Sequence, residues 1–152
     1  MESRLTPLFV QYFDLKEAHP GCVMLMRVGD FYEAYGDDAE RIARELEIAL
    51  TAKESGEGRI AMAGVPFFSV DGYLRTLIAK GYRVAIAEQM EDARQAKGLV
   101  RREVVRVVTS GTILDPEMLD DRSHNFLLCA AHVGRDVGLA VADVSTGTFV
   151  AT

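Results

Sequence analysis

Residues 22–36 leave this chain few ways to fold. Cys22–Val28 is a continuous apolar run broken only by Arg27, the pattern of a buried strand. Gly29-Asp30 then supplies a turn, and Phe31-Tyr32-Glu33-Ala34-Tyr35 returns as a hairpin partner, with a bulge as the alternative for so tight a turn. Side chains alternate along a strand, so Phe31, Glu33 and Tyr35 share one face while Tyr32 and Ala34 take the other. A large ring and a carboxylate therefore stand about 6.6 Å apart along the backbone, close enough for one flat ligand to meet both. On the pattern alone, the ordinary reading is a half-buried strand with Phe31 in the core and Glu33 in solvent.

The flanking elements follow from their punctuation. Thr6-Pro7 reads as an N-cap and a first helical position, Leu8, Tyr12 and Leu15 recur at helical spacing, and His19-Pro20-Gly21 ends the helix. Asp37 and Asp38 put negative charge at the start of a second helix with Ala39, Ile42, Ala43 and Leu46 on its apolar stripe. That role accounts for both aspartates; a metal site from Asp30, Glu33, Asp37 and Asp38 is the sharper alternative. Strands are expected at residues 48–52 and 60–65 around a polar loop, then a helix over 70–80 capped by Ser69 with Tyr73, Leu74, Leu77 and Ile78 inward. Strands at 82–89 and 102–108 enclose a polar connection. Residues 114–125 are acidic and unpatterned, as in an inter-domain linker, and 126–132, 138–145 and 148–151 read as a meander of strands too few to bury a core. The chain is thus expected to end inside a second domain.

Composition narrows the class. The 152 residues are 49% hydrophobic and 26% charged, as in a globular soluble domain, and no apolar run reaches the length of a membrane span. Cys22 and Cys129 are expected to be buried free thiols, and the default location is the cytoplasm. The net charge of −6 argues against nucleic acid, but it is uneven. Residues 1–110 carry 15 Lys/Arg against 17 Asp/Glu, and residues 111–152 carry 2 against 6. Arg94, Lys97, Arg101, Arg102 and Arg106 form a basic cluster within the first part, a stripe compatible with DNA.

No phosphate-binding loop or nucleophile elbow is present in the sequence, and His19, His124 and His132 have no evident partners. The most enzyme-like stretch is Ala142-Asp143-Val144-Ser145-Thr146-Gly147-Thr148, an acid at a strand end followed by a Ser/Thr/Gly turn. It could open an RNase H-like nuclease or phosphotransferase site with Asp143 as the first metal or phosphate residue. The plainer reading is a hairpin whose Asp and Thr cap the turn. Phe31 with Glu33 offers different chemistry. An apolar wedge between base steps unstacks and kinks a duplex, at least cost where a mispair has already weakened the stack, and a neighbouring carboxylate can accept a hydrogen bond from the displaced base.

Several motifs, in order and spacing, resemble the MutS family of DNA mismatch-repair proteins over essentially the whole chain. They are Thr6-Pro7 with Gln11-Tyr12, Arg27-Val28-Gly29-Asp30-Phe31-Tyr32-Glu33, Asp37-Asp38-Ala39, Met62-Ala63-Gly64-Val65-Pro66, Val84-Ala85-Ile86-Ala87-Glu88-Gln89, Arg101-Arg102-Glu103-Val104-Val105-Arg106 and Asp143-Val144-Ser145-Thr146-Gly147. The resemblance implies an α/β fold of the α+β type, a mixed β-sheet flanked by helices. It divides the chain into a mismatch-recognition domain at 1–110, a linker at 111–124 and the first strands of an RNase H-like connector domain at 125–152. It implies that Phe31 stacks on a mispaired base, that Glu33 hydrogen-bonds it, and that Phe31 is exposed while Tyr32 and Ala34 face the core. Lys53, Arg59, Arg94, Lys97, Arg101, Arg102 and Arg106 are the candidate backbone contacts, chosen by charge. The implied partners are mismatched double-stranded DNA, a second MutS-family subunit and a MutL-type protein at the connector, in a nucleoid-associated cytoplasmic setting. The resemblance assigns no catalytic residue, metal or cofactor to these residues, because the family's ATP and Mg belong to a downstream ATPase domain.

Overall fold

The hairpin forms the middle of a sheet. Strand β1 (Cys22–Val28) pairs antiparallel with β2 (Phe31–Tyr35), with Val28 opposite Phe31 and Met26 opposite Glu33. Gly29, at φ 59°, makes the two-residue turn that a side chain would strain. The computed structural model describes residues 5–91, 98–112 and 124–152. These fall into one unit up to Val107 and a second from Val108 onward.

The first unit carries three helices, α1 (Pro7–Ala18), α2 (Asp37–Leu46) and α3 (Val70–Ala79). Its other strands are β3 (Thr51–Glu54), β4 (Arg59–Pro66), β5 (Arg83–Gln89) and β6 (Arg102–Val108). The six-stranded sheet has the order β3-β4-β2-β1-β5-β6, with β1 and β5 parallel and β1–β2, β2–β4 and β3–β4 antiparallel. It is the expected mixed sheet flanked by helices. Central β1 is buried from Cys22 to Met26 because both of its faces are covered. On one face α1 sets Phe9 and Tyr12 against Cys22, Met24, Met26, Tyr35, Ala85 and Ala87. On the other, α2 packs on β2 and β4 and α3 on β4 and β5, burying Ala39, Ile42, Leu74 and Leu77.

Several expectations need correction. Helix α1 buries Phe9 and Tyr12 most deeply; of the residues marked by helical spacing Tyr12 is central, Leu8 and Leu15 pack only partly covered against the same core, and Phe9 was not among them. Ser69 stands at the N-cap position of α3 as expected, but its side chain makes no capping bond: a 3-10 turn (Phe67–Ser69) precedes the helix, and the Ser69 hydroxyl donates to the Pro66 carbonyl at 3.3 Å. Val70, not Tyr73, joins Leu74, Leu77 and Ile78 inside.

Asp38 is the largest departure. It is 3% exposed, although expected only as charge at a helix start. Its carboxylate accepts the Met24 N–H at 2.9 Å and the Tyr12 hydroxyl at 3.3 Å, and lies 2.7 Å from the Lys16 ammonium. One buried acid therefore ties α1, β1 and α2 together at the centre of the unit. The aspartates do not combine with Asp30 and Glu33 into a metal site, and no cluster of three or more metal-ligating side chains occurs among the described residues.

The second unit contains a 3-10 turn (Ser110–Thr112) and a three-stranded antiparallel sheet, β7 (Phe126–Val133), β8 (Asp136–Asp143) and β9 (Thr148–Ala151). Every residue of β7 is exposed, so Cys129 is an exposed thiol, unlike buried Cys22. Three strands with so little packed over them within the unit leave edge strand β7 open along its whole length. Linker residues 113–123 lie outside the described residues.

Candidate nucleic-acid interface

The α1-bearing face of β2 divides along its length. Tyr35 is 1% exposed, with its ring edge-on to Phe9 and Tyr12 at centroid distances of 4.8 Å. Two residues nearer the turn Glu33 is partly exposed, and at the hairpin end Phe31 is 46% exposed. Tyr32 and Ala34, on the opposite face, are 7% and 0% exposed. Helix α1 covers the Tyr35 end only, so a ring and a carboxylate emerge side by side beyond its shelter.

The mount beneath Phe31 is firm. The Tyr32 hydroxyl donates to Glu88 on β5, which together with burial pushes the phenol up to about 12. Burial is the larger cause, followed by the Glu88 hydrogen bond and charge. The Arg27 guanidinium lies 3.7 Å from the Phe67 ring centroid, and the Phe67 N–H closes on the Asp30 carbonyl of the turn at 3.0 Å. Phe31 is thus presented on a hairpin braced from behind rather than on a free loop.

Glu33 is held as well. The Tyr35 hydroxyl donates to Glu33 Oε2, and Lys53 Nζ, reaching from β3, lies 2.8 Å from the same oxygen and 3.2 Å from the Tyr35 hydroxyl. Burial first, then the hydrogen bond to Glu33 and its charge, hold the Tyr35 phenol far above its ordinary value, so it remains a donor. Opposite Glu33 on β4 stands Gly64, where a Cβ would come within 3.4 Å of Glu33 Cγ and 3.2 Å of the Tyr32 carbonyl oxygen. The glycine leaves the carboxylate its space.

Among the candidate phosphate contacts, Arg102 requires correction. It is 6% exposed, and its guanidinium donates to the carbonyls of Arg27 at 2.6 Å and Val100 at 2.9 Å and to Gln11 Oε1 at 3.1 Å. It is a buried clamp, and desolvation lowers its pKa from the ordinary arginine value. Sequence charge could not separate it from its exposed neighbour Arg101, because strand alternation sends one in and the other out. Lys53 belongs to the Glu33 cluster. Arg59, Arg101 and Arg106 lie at the surface, near Glu54 at 3.4 Å, Glu103 at 2.7 Å and Asp71 at 3.8 Å. Such exposed pairs exchange readily with other anions. Arg94 and Lys97 lie outside the described residues.

In the second unit Asp143 is 3% exposed and saturated with donors. Oδ1 accepts the N–H groups of Asn125 and Ser145, each at 3.1 Å, and Oδ2 lies 2.6 Å from His124 Nδ1 and 2.9 Å from the Thr146 hydroxyl. The His124 contact, aided by the backbone and Thr146 donors against desolvation, holds its pKa below the usual carboxylate range. It anchors the turn.

The family model described as MutS domain I matches residues 6–117. The chain belongs to the MutS family. Its similarity to MutS-family sequences extends beyond that domain. It is 53% identical over 152 residues to the DNA mismatch repair protein MutS of Thermosynechococcus vestitus, covering 99% of this chain. It is 49% identical over 151 residues to that of Symbiobacterium thermophilum, covering 98% of this chain. In each case the chain spans 17% of the relative's length. Within this MutS-family segment, the Lys53–Glu33–Tyr35 cluster escaped sequence reasoning because its members lie on two strands that are not neighbours in the sheet. A lysine on a short strand facing the same side as an acid was the available signal.

Proposed function

We propose that this segment is the mismatch-recognition module of a DNA mismatch-repair protein, and that it tests a duplex by wedging Phe31 between bases while Glu33 reads the displaced one. The observation that carries this is the placement of a 46%-exposed phenylalanine on a braced hairpin tip with a carboxylate one pleat away on the same face. The exposed ring offers a flat apolar face on which a base can stack. Unstacking a base step costs a few kcal/mol, and less where a mispair has weakened it, so a rigid wedge converts duplex weakness into affinity. Glu33 supplies an acceptor to a base edge without demanding one particular base. Arg59, Arg101 and Arg106 would exchange their acidic neighbours for phosphates and, together with Arg94 and Lys97, hold the duplex in register.

In this reading the segment binds DNA and performs no catalysis. The family dimer, the ATPase and a MutL-type partner belong to the larger protein. Among the described residues nothing favours a hydrolase at Asp143, whose two oxygens are occupied by turn donors.

The test compares a duplex carrying one mispair with its matched counterpart, using the intact MutS-family protein that carries these residues. Phe31→Ala should cost mismatch binding about 1–3 kcal/mol, the worth of one stacking aromatic, and barely change matched-duplex affinity. Undiminished discrimination by Phe31→Ala would refute the wedge.

A further inference from the structure

We infer that Lys53 and Tyr35 are positioning residues for Glu33: both fasten Oε2, so that Oε1 is the atom presented to the base, and Lys53 serves as the carboxylate's counter-ion rather than as a phosphate contact. This rests on the wedge reading of Phe31 and Glu33. A glutamate on an open strand has three side-chain torsions and would meet a base edge in many poses, each diluting the productive one. Here the pose is restricted. The Tyr35 hydroxyl stands on a ring locked between Phe9 and Tyr12, and Lys53 Nζ completes a three-membered cluster with contacts of 2.8 Å to Glu33 and 3.2 Å to Tyr35. Among the described residues, both donors to the carboxylate choose Oε2 and none chooses Oε1. Gly64 keeps the β4 side clear.

The charge follows the same logic. A bare carboxylate carried against a phosphate backbone is repelled, whereas a carboxylate paired with an ammonium approaches as a neutral unit and still offers a full acceptor lone pair. The Lys53 side chain is 34% exposed and that of Glu33 13%, so the pair sits where a ligand can reach it but water does not dominate it.

The ratio of mismatched to matched duplex affinity, measured in the intact protein, separates this role from a phosphate contact. Lys53→Met and Tyr35→Phe should each lower the ratio about three- to tenfold, and in a Glu33→Gln background each should change it less than about twofold, since the charged carboxylate they orient and neutralise is gone. Tyr35→Phe keeps the buried ring against Phe9 and Tyr12, so that variant stays informative if Lys53→Met folds poorly. A Lys53→Met variant that weakens both duplexes equally, or by the same factor with and without Glu33→Gln, overturns the inference and returns Lys53 to the phosphate contacts. Phe31→Ala is run alongside. Discrimination surviving Phe31→Ala condemns the wedge itself; discrimination lost with Phe31→Ala but untouched by Lys53→Met and Tyr35→Phe condemns only the positioning role.

Discussion

Replacing Asp38 by alanine should destabilise the first unit by about 3 kcal/mol, a large share of the roughly 5–15 kcal/mol that holds an ordinary domain together. The figure comes from what the carboxylate holds. Its removal orphans the buried Met24 N–H, now bonded at 2.9 Å, which by itself costs about 1–3 kcal/mol. It also strips Lys16 of a partner 2.7 Å away. Removing one member of a buried pair costs about 3–5 kcal/mol, but the Lys16 side chain is 30% exposed and can rehydrate, which favours the lower end for the two losses together. Asp38→Asn should cost about half as much, because the amide oxygen can keep the Met24 N–H while the charge is lost. Urea unfolding followed by tyrosine fluorescence measures this cleanly, since the chain has no tryptophan and its five tyrosines all lie before residue 83. With a slope of about 2 kcal/mol per molar urea, the midpoint should fall by about 1.5 M at unchanged slope. Asp37, exposed at the same helix start, is the control, and Asp37→Ala should cost only about 0.5 kcal/mol. Equal losses for the two alanines would show that Asp38 is merely charge at a helix end, and the central role given to it here would be wrong.

Three further outcomes are expected. Arg102→Met should lower the urea midpoint by an amount equivalent to about 2 kcal/mol and leave the salt dependence of DNA binding alone, whereas Arg101→Met should reduce the salt slope by about 0.9 with little loss of stability. Gly64→Ala, whose new Cβ would sit 3.4 Å from Glu33 Cγ, should cost about 1 kcal/mol of stability by crowding and blunt mismatch discrimination by turning the carboxylate. In the second unit the folded-state pKa of Asp143 is depressed, so its contribution is complete above the unfolded value near pH 4 and is lost as pH falls from there toward the folded value. Amide protection of Asn125 and Ser145, both donors to Asp143, should therefore hold from pH 7 to about 5, fade only in stronger acid, and be weak at every pH in Asp143→Ala, which removes the acceptor altogether.

Much of the first unit was legible in the sequence because its signals are local. A seven-residue apolar run, a Gly-Asp turn and an alternating aromatic strand specify β1, the hairpin and β2 through backbone geometry alone. Motif order and spacing carried the family, and through it the expectation that Phe31 is exposed. Whether Phe31 is exposed was not a local matter. Alternation puts Phe31, Glu33 and Tyr35 on one face, and only the reach of α1 across that face decides that Tyr35 is sealed while Phe31 and Glu33 are not. The tertiary fold likewise turned Asp38 from a helix-end charge into a buried tie, sent Arg102 inward beside an outward Arg101, and brought Lys53 across β4 to Glu33. Those outcomes depend on which strands become neighbours and which faces are covered. A charge count along the chain holds no such information, because burial and pairing are properties of the assembled sheet.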